Sequence, residues 1–328
     1  MRSMDVQALP ANLDAHSDDE RALGALLNLL RQADYHFVTP SPATHRRVLR
    51  RDAKPVAQTL RDVFGWSLPF QPDLLSNALL DALWAADLLH HDDGLLRSRV
   101  RVSSLGAHLF LHSAFPTTAE DAVFFGPDTY RFANFLTAEL AGSAPVGLLV
   151  DIGAGSGAGA VVAADLARPA RTLLTDLNPL ALRLARANAA SAGQEVETVL
   201  GDGLGGVSGP IDLAIANPPF IAGDNGRAYR DGGDLHGARI SLDWTLAAAQ
   251  QLAPDGRLLL YTGSAIVEGR DLFRQAVKAE LADSGFEIAY RELDPDIFGG
   301  QLSDPAYADV ERIAAVGLSV RRRGVSAV

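Results

Sequence analysis

Residues 146–159 read Val-Gly-Leu-Leu-Val-Asp-Ile-Gly-Ala-Gly-Ser-Gly-Ala-Gly. The apolar first half has the texture of a buried strand. The glycines after it let the chain turn tightly and bring its backbone close to a ligand, beside the N-terminus of the next helix. Gly153-x-Gly155-x-x-Ala158 also satisfies the dinucleotide fingerprint, whose turn cradles a pyrophosphate. Asp151, two residues before the first glycine, suits a cationic or amino-bearing ligand better than a pyrophosphate.

Outward from this turn, strand and helix signals alternate. Strand-like runs fall at 146–152, 171–175, 196–200, 211–216 and 257–262, with helical segments at 179–192 and 235–252. The rhythm predicts an α/β domain: a parallel sheet with helices on both faces. Residues 286–293 and 310–321 have no long helix between them, so they are expected to pair antiparallel. The first part of the chain has a different texture. A helix carrying Ala22, Leu26, Leu29 and Leu30 is expected after an Asp18 or Asp19 cap, with further helices at 55–64 and from Pro72 towards His90. Residues 95–103 and 107–112 then alternate around Ser104-Leu105-Gly106, the pattern of one β-hairpin. Helices followed by a hairpin suggest a winged-helix-like module. The expected division is a mainly helical recognition domain at 1–119 and a ligand-binding domain at 120–328, with 141–145 a flexible connector between the textures.

Composition narrows the setting. Apolar residues make up 48% of the 328 and charged residues 21%, which is globular. Cysteine is absent, which excludes disulfides, thiol nucleophiles and thiolate-bound metals. No run approaches the roughly 20 apolar residues of a membrane span, and the start has no hydrophobic leader, so a cytoplasmic protein without a membrane partner is expected. The net charge of −11 offers no general attraction to phosphate. Two basic clusters, His45-Arg46-Arg47 with Arg50-Arg51, and Arg321-Arg322-Arg323, read as a solvated helix face and a chain end. His90-His91-Asp92-Asp93 are consecutive, so their side chains diverge and no metal site is expected; the run reads as a helix-ending turn. Trp66, Trp84 and the pair Phe124-Phe125 read as core.

Three acidic residues close successive strands: Asp151, Asp176 in Asp176-Leu177-Asn178-Pro179, and Asp202 in Gly201-Asp202-Gly203. A strand-end carboxylate accepts two ribose hydroxyls at once, and another can accept from an adenine amine. The fourth strand runs into Asn217-Pro218-Pro219-Phe220. Neither proline can donate to a ladder, so the turn is rigid. The Asn217 amide oxygen and the Pro218 carbonyl can then accept from one planar NH2 group, and Phe220 can stack on a flat amide or base. The glycine-rich segment 224–237 is expected to be a lid, with Tyr229, Arg230 and His236 towards the substrate.

Together these motifs resemble class I S-adenosylmethionine-dependent methyltransferases, and the Asn-Pro-Pro-Phe turn resembles the branch that methylates planar amines. Gly126-Pro127-Asp128-Thr129 is similar to an element of HemK-type protein-glutamine methyltransferases, with Gly126 where those carry arginine. The resemblance runs from about Phe124 to the C-terminus. It implies a Rossmann-like seven-stranded sheet ending in an antiparallel strand, with S-adenosylmethionine as cofactor. It also implies cofactor contacts from Pro127, Thr129, Asp151, Gly153, Gly155, Gly157, Asp176, Leu177, Asp202, Gly203 and Asn217. Asn217 to Phe220 would hold the methyl acceptor, which the sequence leaves open among protein glutamine, nucleobase and small molecule. Two other readings compete: an NAD-dependent dehydrogenase, which leaves the Asn-Pro-Pro-Phe turn without a role, and a non-catalytic binding module on the same scaffold.

Overall fold

The computed structural model describes residues 13–51, 55–222, 232–282 and 284–324, and side chains from residue 18 onward. Its centre is a mixed sheet. The strands are β5 (Leu148–Ile152), β6 (Arg171–Asp176), β7 (Glu197–Leu200), β8 (Ile211–Ala216), β9 (Leu252–Val267), β11 (Phe286–Asp294) and β12 (Arg312–Arg322). They lie in the order β11-β12-β9-β8-β5-β6-β7, and a two-residue strand β10 (Arg270–Asp271) pairs with β9 beside this path. The four inner pairings β7-β6, β6-β5, β5-β8 and β8-β9 are parallel. The final hairpin β11-β12 is antiparallel and attaches antiparallel to β9. The expected seven-stranded α/β sheet is therefore present, with β9 extending well beyond the expected 257–262.

Why these strands sit in the middle follows from their period of two. Val150, Ala214, Leu258 and Leu260 enter a core with α8 (Arg239–Gln251) and α9 (Leu272–Glu280). Their neighbours Leu149, Leu213, Leu259 and Tyr261 enter a second core with α5 (Pro127–Leu140) and α6 (Ala158–Ala167). Both faces are covered, as a parallel sheet requires. The helix α7 (Pro179–Ser191) begins as its sequence suggests. Asn178 caps it, accepting from the Leu180 N–H at 2.9 Å, and Pro179 takes the first position, where its missing N–H costs nothing.

The preceding module corrects several expectations. Helix α1 (Leu13–Gln32) starts before the acidic pair, and Asp19 instead forms an ion pair with Arg183 of α7. Helix α2 (Pro42–Leu49), capped by Ser41, carries the basic cluster read as a solvated helix face, but His45 is turned into the core. Helix α3 is only Leu60–Phe64, because Thr59 and Asp62 form a capping box that starts it late. The expected helix from Pro72 to His90 is a 3-10 turn (Pro72–Leu74) followed by α4 (Asn77–Ala85). His90 lies in strand β1 (Leu89–Asp92), not in a helix-ending turn. The single hairpin becomes two: β1 pairs with β2 (Leu95–Ser98), and β3 (Val100–Leu105) pairs with β4 (His108–Ser113). The chain changes partner at Arg99, so the expected arm 95–103 serves two ribbons. Trp84 is 47% exposed rather than core.

The module shares a hydrophobic core with the sheet domain. Leu23, Leu26 and Leu30 of α1 pack in one cluster with Ala181, Leu184 and Ala187 of α7. Buried Asn188 reinforces this contact: its amide accepts from the Leu111 N–H at 2.8 Å and donates to the Leu111 carbonyl at 3.0 Å. No described helix is long and apolar enough to cross a membrane.

Candidate functional site

Parallel strands place their carboxyl ends along one edge, where open α/β sheets bind ligands. Here that edge brings together Asp202 after β7, Asp176 ending β6, Gly153 after β5 and Asn217 after β8. All four line one cleft, with Asp151, Ala154, Gly155, Leu177, Gly203 and Pro219. Thr129 of α5, together with Glu120 and Phe124 from the preceding loop, lines it too.

The glycine turn is built as the sequence demands. Gly153 and Gly155 have φ of +67° and +54°, a region other residues occupy only under strain. The turn is pinned to the next strand: the Ala154 N–H donates to the Thr175 carbonyl at 2.9 Å, and the Gly155 N–H to Asp176 Oδ2 at 2.8 Å. The other Asp176 oxygen accepts from the Asn178 N–H at 2.9 Å. Burial raises the Asp176 carboxyl above its usual range against these donors. With the Leu177 backbone as a third partner, the carboxylate still keeps a lone pair for a further donor.

Asp151 is 2% exposed, and its Oδ2 accepts from the Ala160 N–H at 2.9 Å in the first turn of α6. Burial pushes its carboxyl up to about 8, and the neighbouring Asp176 charge adds to the rise. Without a cation beside it, Asp151 is therefore largely protonated at neutral pH. Leu177 is 61% exposed at the cleft wall, apolar surface that a flat ring would cover.

Trp244 of α8 was missed by sequence reasoning. It lines the cleft, and a Cβ at Gly153 would stand 2.4 Å from its ring, one at Gly203 3.0 Å from its Nε1. Both glycines are thus required by one indole that supports the turns after β5 and β7. Only the lack of side chains at those two positions could have signalled it.

At the end of β8 Asn217 lines the cleft, and its Oδ1 is buried without a hydrogen-bond partner among the described residues. A buried acceptor left unpaired costs about 1–3 kcal/mol, so this one is poised for a donor from outside the chain. Phe220, expected to stack on substrate, is instead 8% exposed and packs edge-on against Tyr261 and Phe298, with ring centroids 6.2 and 5.7 Å away. Beneath it, the Tyr261 hydroxyl donates to Asp128 Oδ1 at 2.7 Å. Burial raises that Asp128 carboxyl above its usual range.

Four further expected residues stand outside the cleft lining. Pro127 occupies the first position of α5, and Pro218 is buried in the turn. Gly157 caps α6 at φ +74°, where a Cβ would press on Ala185 at 3.0 Å, so its smallness serves helix packing. His236 is tied to the C-terminal loop, with Nδ1 3.0 Å from the Ala306 carbonyl and Nε2 3.6 Å from Asp309. Tyr229 and Arg230 lie outside the described residues. Among the described residues no group of three or more acidic or histidine side chains could hold a metal ion.

This cleft, at the carboxyl edge of a mostly parallel sheet with an antiparallel end, defines a Rossmann-like ligand-binding domain. Residues 122–278 match the Methyltransferase small domain family. The chain is 35% identical over 156 residues to the release factor glutamine methyltransferase of Deinococcus radiodurans, covering 46% of this chain and 54% of that protein. It is 33% identical over 199 residues to the namesake from Cereibacter sphaeroides, covering 54% of this chain and 69% of that one. A shorter match, 35% over 77 residues, is to ribosomal RNA small subunit methyltransferase C of Serratia proteamaculans, covering 24% and 22%. The chain thus spans about half the length of the first of these relatives. It belongs to the class I S-adenosylmethionine-dependent methyltransferase family that includes the HemK-type glutamine methyltransferases.

Proposed function

We propose that the protein is an S-adenosylmethionine-dependent N-methyltransferase acting on a planar amino group. The observation that carries this reading is the buried Oδ1 of Asn217, without a hydrogen-bond partner among the described residues, on a residue that lines the cleft holding three strand-end carboxylates. That donor set fits the cofactor. Asp176 offers acceptors for ribose hydroxyls, Asp202 an acceptor for the adenine amine, and exposed Leu177 an apolar face for the purine. Asp151 stands ready to oppose positive charge. When bound, the cofactor supplies an electrophilic methyl group on a sulfonium centre.

The protein's own contribution is alignment and polarisation. Holding two reactants in line is worth about 7–11 kcal/mol of barrier. An amide or ring amine is a weak nucleophile because its lone pair is delocalised. A hydrogen bond from that amine to Asn217 Oδ1 grows stronger as nitrogen gains positive charge, so it favours the transition state over the ground state. The spare proton can leave to water afterwards, so no general base is required. The names of the longer-matching relatives support a glutamine amide as acceptor, while Gly126 departs from the arginine of that group. Incubating the full chain with methyl-labelled cofactor and fractionated protein, RNA and small-molecule pools tests the reading. Label should enter one macromolecular or small-molecule pool with wild type and be lost with Asn217→Ala; equal labelling by both proteins would refute it.

A further inference from the structure

Helix α2 holds the strongest charge contrast in the chain. Between residues 41 and 61 stand six basic residues and one acidic, Asp52, in a protein whose net charge is −11. One face of the helix is buried through His45: its Nε2 lies 3.0 Å from the Trp66 carbonyl, and its ring stacks on Phe115 with centroids 4.0 Å apart. Burial and nearby Arg101 lower this imidazole to about 4, so it adds no charge of its own. With His45 turned inward, Arg46, Arg47, Arg50 and Arg51 are left exposed. None of them forms an ion pair or side-chain hydrogen bond with a described residue. Arg46 with Arg50, and Arg47 with Arg51, are separated by four residues, so they form two adjacent rows along the helix and its C-terminal turn.

The position of this face matters as much as its charge. Phe115, the ring that His45 stacks on, opens the loop whose later residues Glu120, Val123 and Phe124 line the cleft. Phe115 and Glu120 are five residues apart, so at most about 18 Å of extended chain separates them. A nucleic acid lying along α2 is long enough to span that distance to the cleft.

We propose that the outer face of α2 docks the phosphate backbone of an RNA that presents the acceptor amine to the cleft. The proposal rests on the methyltransferase reading only for the role of the cleft; the docking itself does not. Phosphate is favoured over a protein carboxylate surface because four exposed, planar guanidinium groups, unpaired among the described residues, stand in two rows that match a repeating, closely spaced anion. It accounts for a basic helix held rigidly beside the site of an otherwise acidic protein.

The test is fluorescence anisotropy of the full chain with labelled bulk tRNA at increasing salt, without cofactor. Four phosphate contacts give a log–log salt slope of about −3 to −4, so affinity should fall on the order of 100-fold between 50 and 200 mM salt. The quadruple variant R46Q/R47Q/R50Q/R51Q should lose most of the affinity and flatten the slope by about 3, while the four-fold Arg→Lys variant keeps the slope. Thermal midpoint and S-adenosylhomocysteine binding by calorimetry should be unchanged in both variants. Loss of nucleoside binding in the wild type would count against the cleft's reading and not against the surface. The proposal is overturned if tRNA does not bind, if the glutamine variant binds as wild type does, or if poly-L-glutamate binds as tightly and competes.

Discussion

Asp151→Asn gives the sharpest physical test of the buried strand-end carboxylate. In the native chain Asp151 titrates near 8, against about 4 when unfolded, because burial opposes its charge. Between these values the folded protein holds a proton that the unfolded chain has released. Stability from this group is therefore fully present in acid and is lost as pH rises through about 8. Linkage puts the loss between pH 6 and pH 9 at about 2–3 kcal/mol. The asparagine variant keeps the shape and can still accept from the Ala160 N–H, but it does not titrate. For a chain of this size the difference in thermal midpoint, variant minus wild type, should widen by about 5 °C from pH 6 to pH 9. Differential scanning fluorimetry across that range reads it directly. A difference that stays flat, or narrows as pH rises, refutes the argument. The same proton predicts that S-adenosylhomocysteine, which carries an amino group, releases protons on binding near pH 7, visible as a dependence of calorimetric heat on buffer ionisation enthalpy.

Other consequences are equally direct. Gly153→Ala imposes a side chain at φ +67° and drives a Cβ to 2.4 Å from Trp244, so it should cost at least about 1–2 kcal/mol by chemical denaturation. Part of that loss should return in the Trp244→Leu background, as a double-mutant cycle would show. Of the three tryptophans only Trp244 lines the cleft, so nucleoside binding should change intrinsic fluorescence in wild type and leave Trp244→Phe silent. Asn217→Ala should lower turnover on the order of 100-fold while nucleoside affinity, by calorimetry, moves only a few-fold. Tyr261→Phe removes the donor to buried Asp128 and should cost about 1–3 kcal/mol in a denaturant titration.

The sheet and the cleft were legible in the chain because their determinants are local. Apolar runs alternate with helical segments, and each strand's last residues are the ones that face the ligand edge, so Asp151, Asp176, Asp202 and Asn217 could be named from their strands alone. The same is true of Gly153 and Gly155, whose backbone angles are set within the turn. What escaped reading depends on contacts between distant segments. Trp244 comes from α8, and nothing near it in sequence announces the two glycines it supports. Phe220 follows the motif directly, yet Tyr261 and Phe298, from β9 and a late loop, turn it into the core. The division of 95–103 between two hairpins, and the burial of His45 under Phe115, arise in the same way. The role of Gly157 was read from its place in the motif, whereas the structure gives it a packing reason on α7.

The central claim is that the cleft along β7, β6, β5 and β8 takes S-adenosylmethionine. Isothermal titration of the full chain against S-adenosylhomocysteine and, in parallel, against NAD addresses it most directly. Saturable one-to-one binding of S-adenosylhomocysteine with no heat from NAD is the predicted result. Binding of NAD with none of S-adenosylhomocysteine would contradict it.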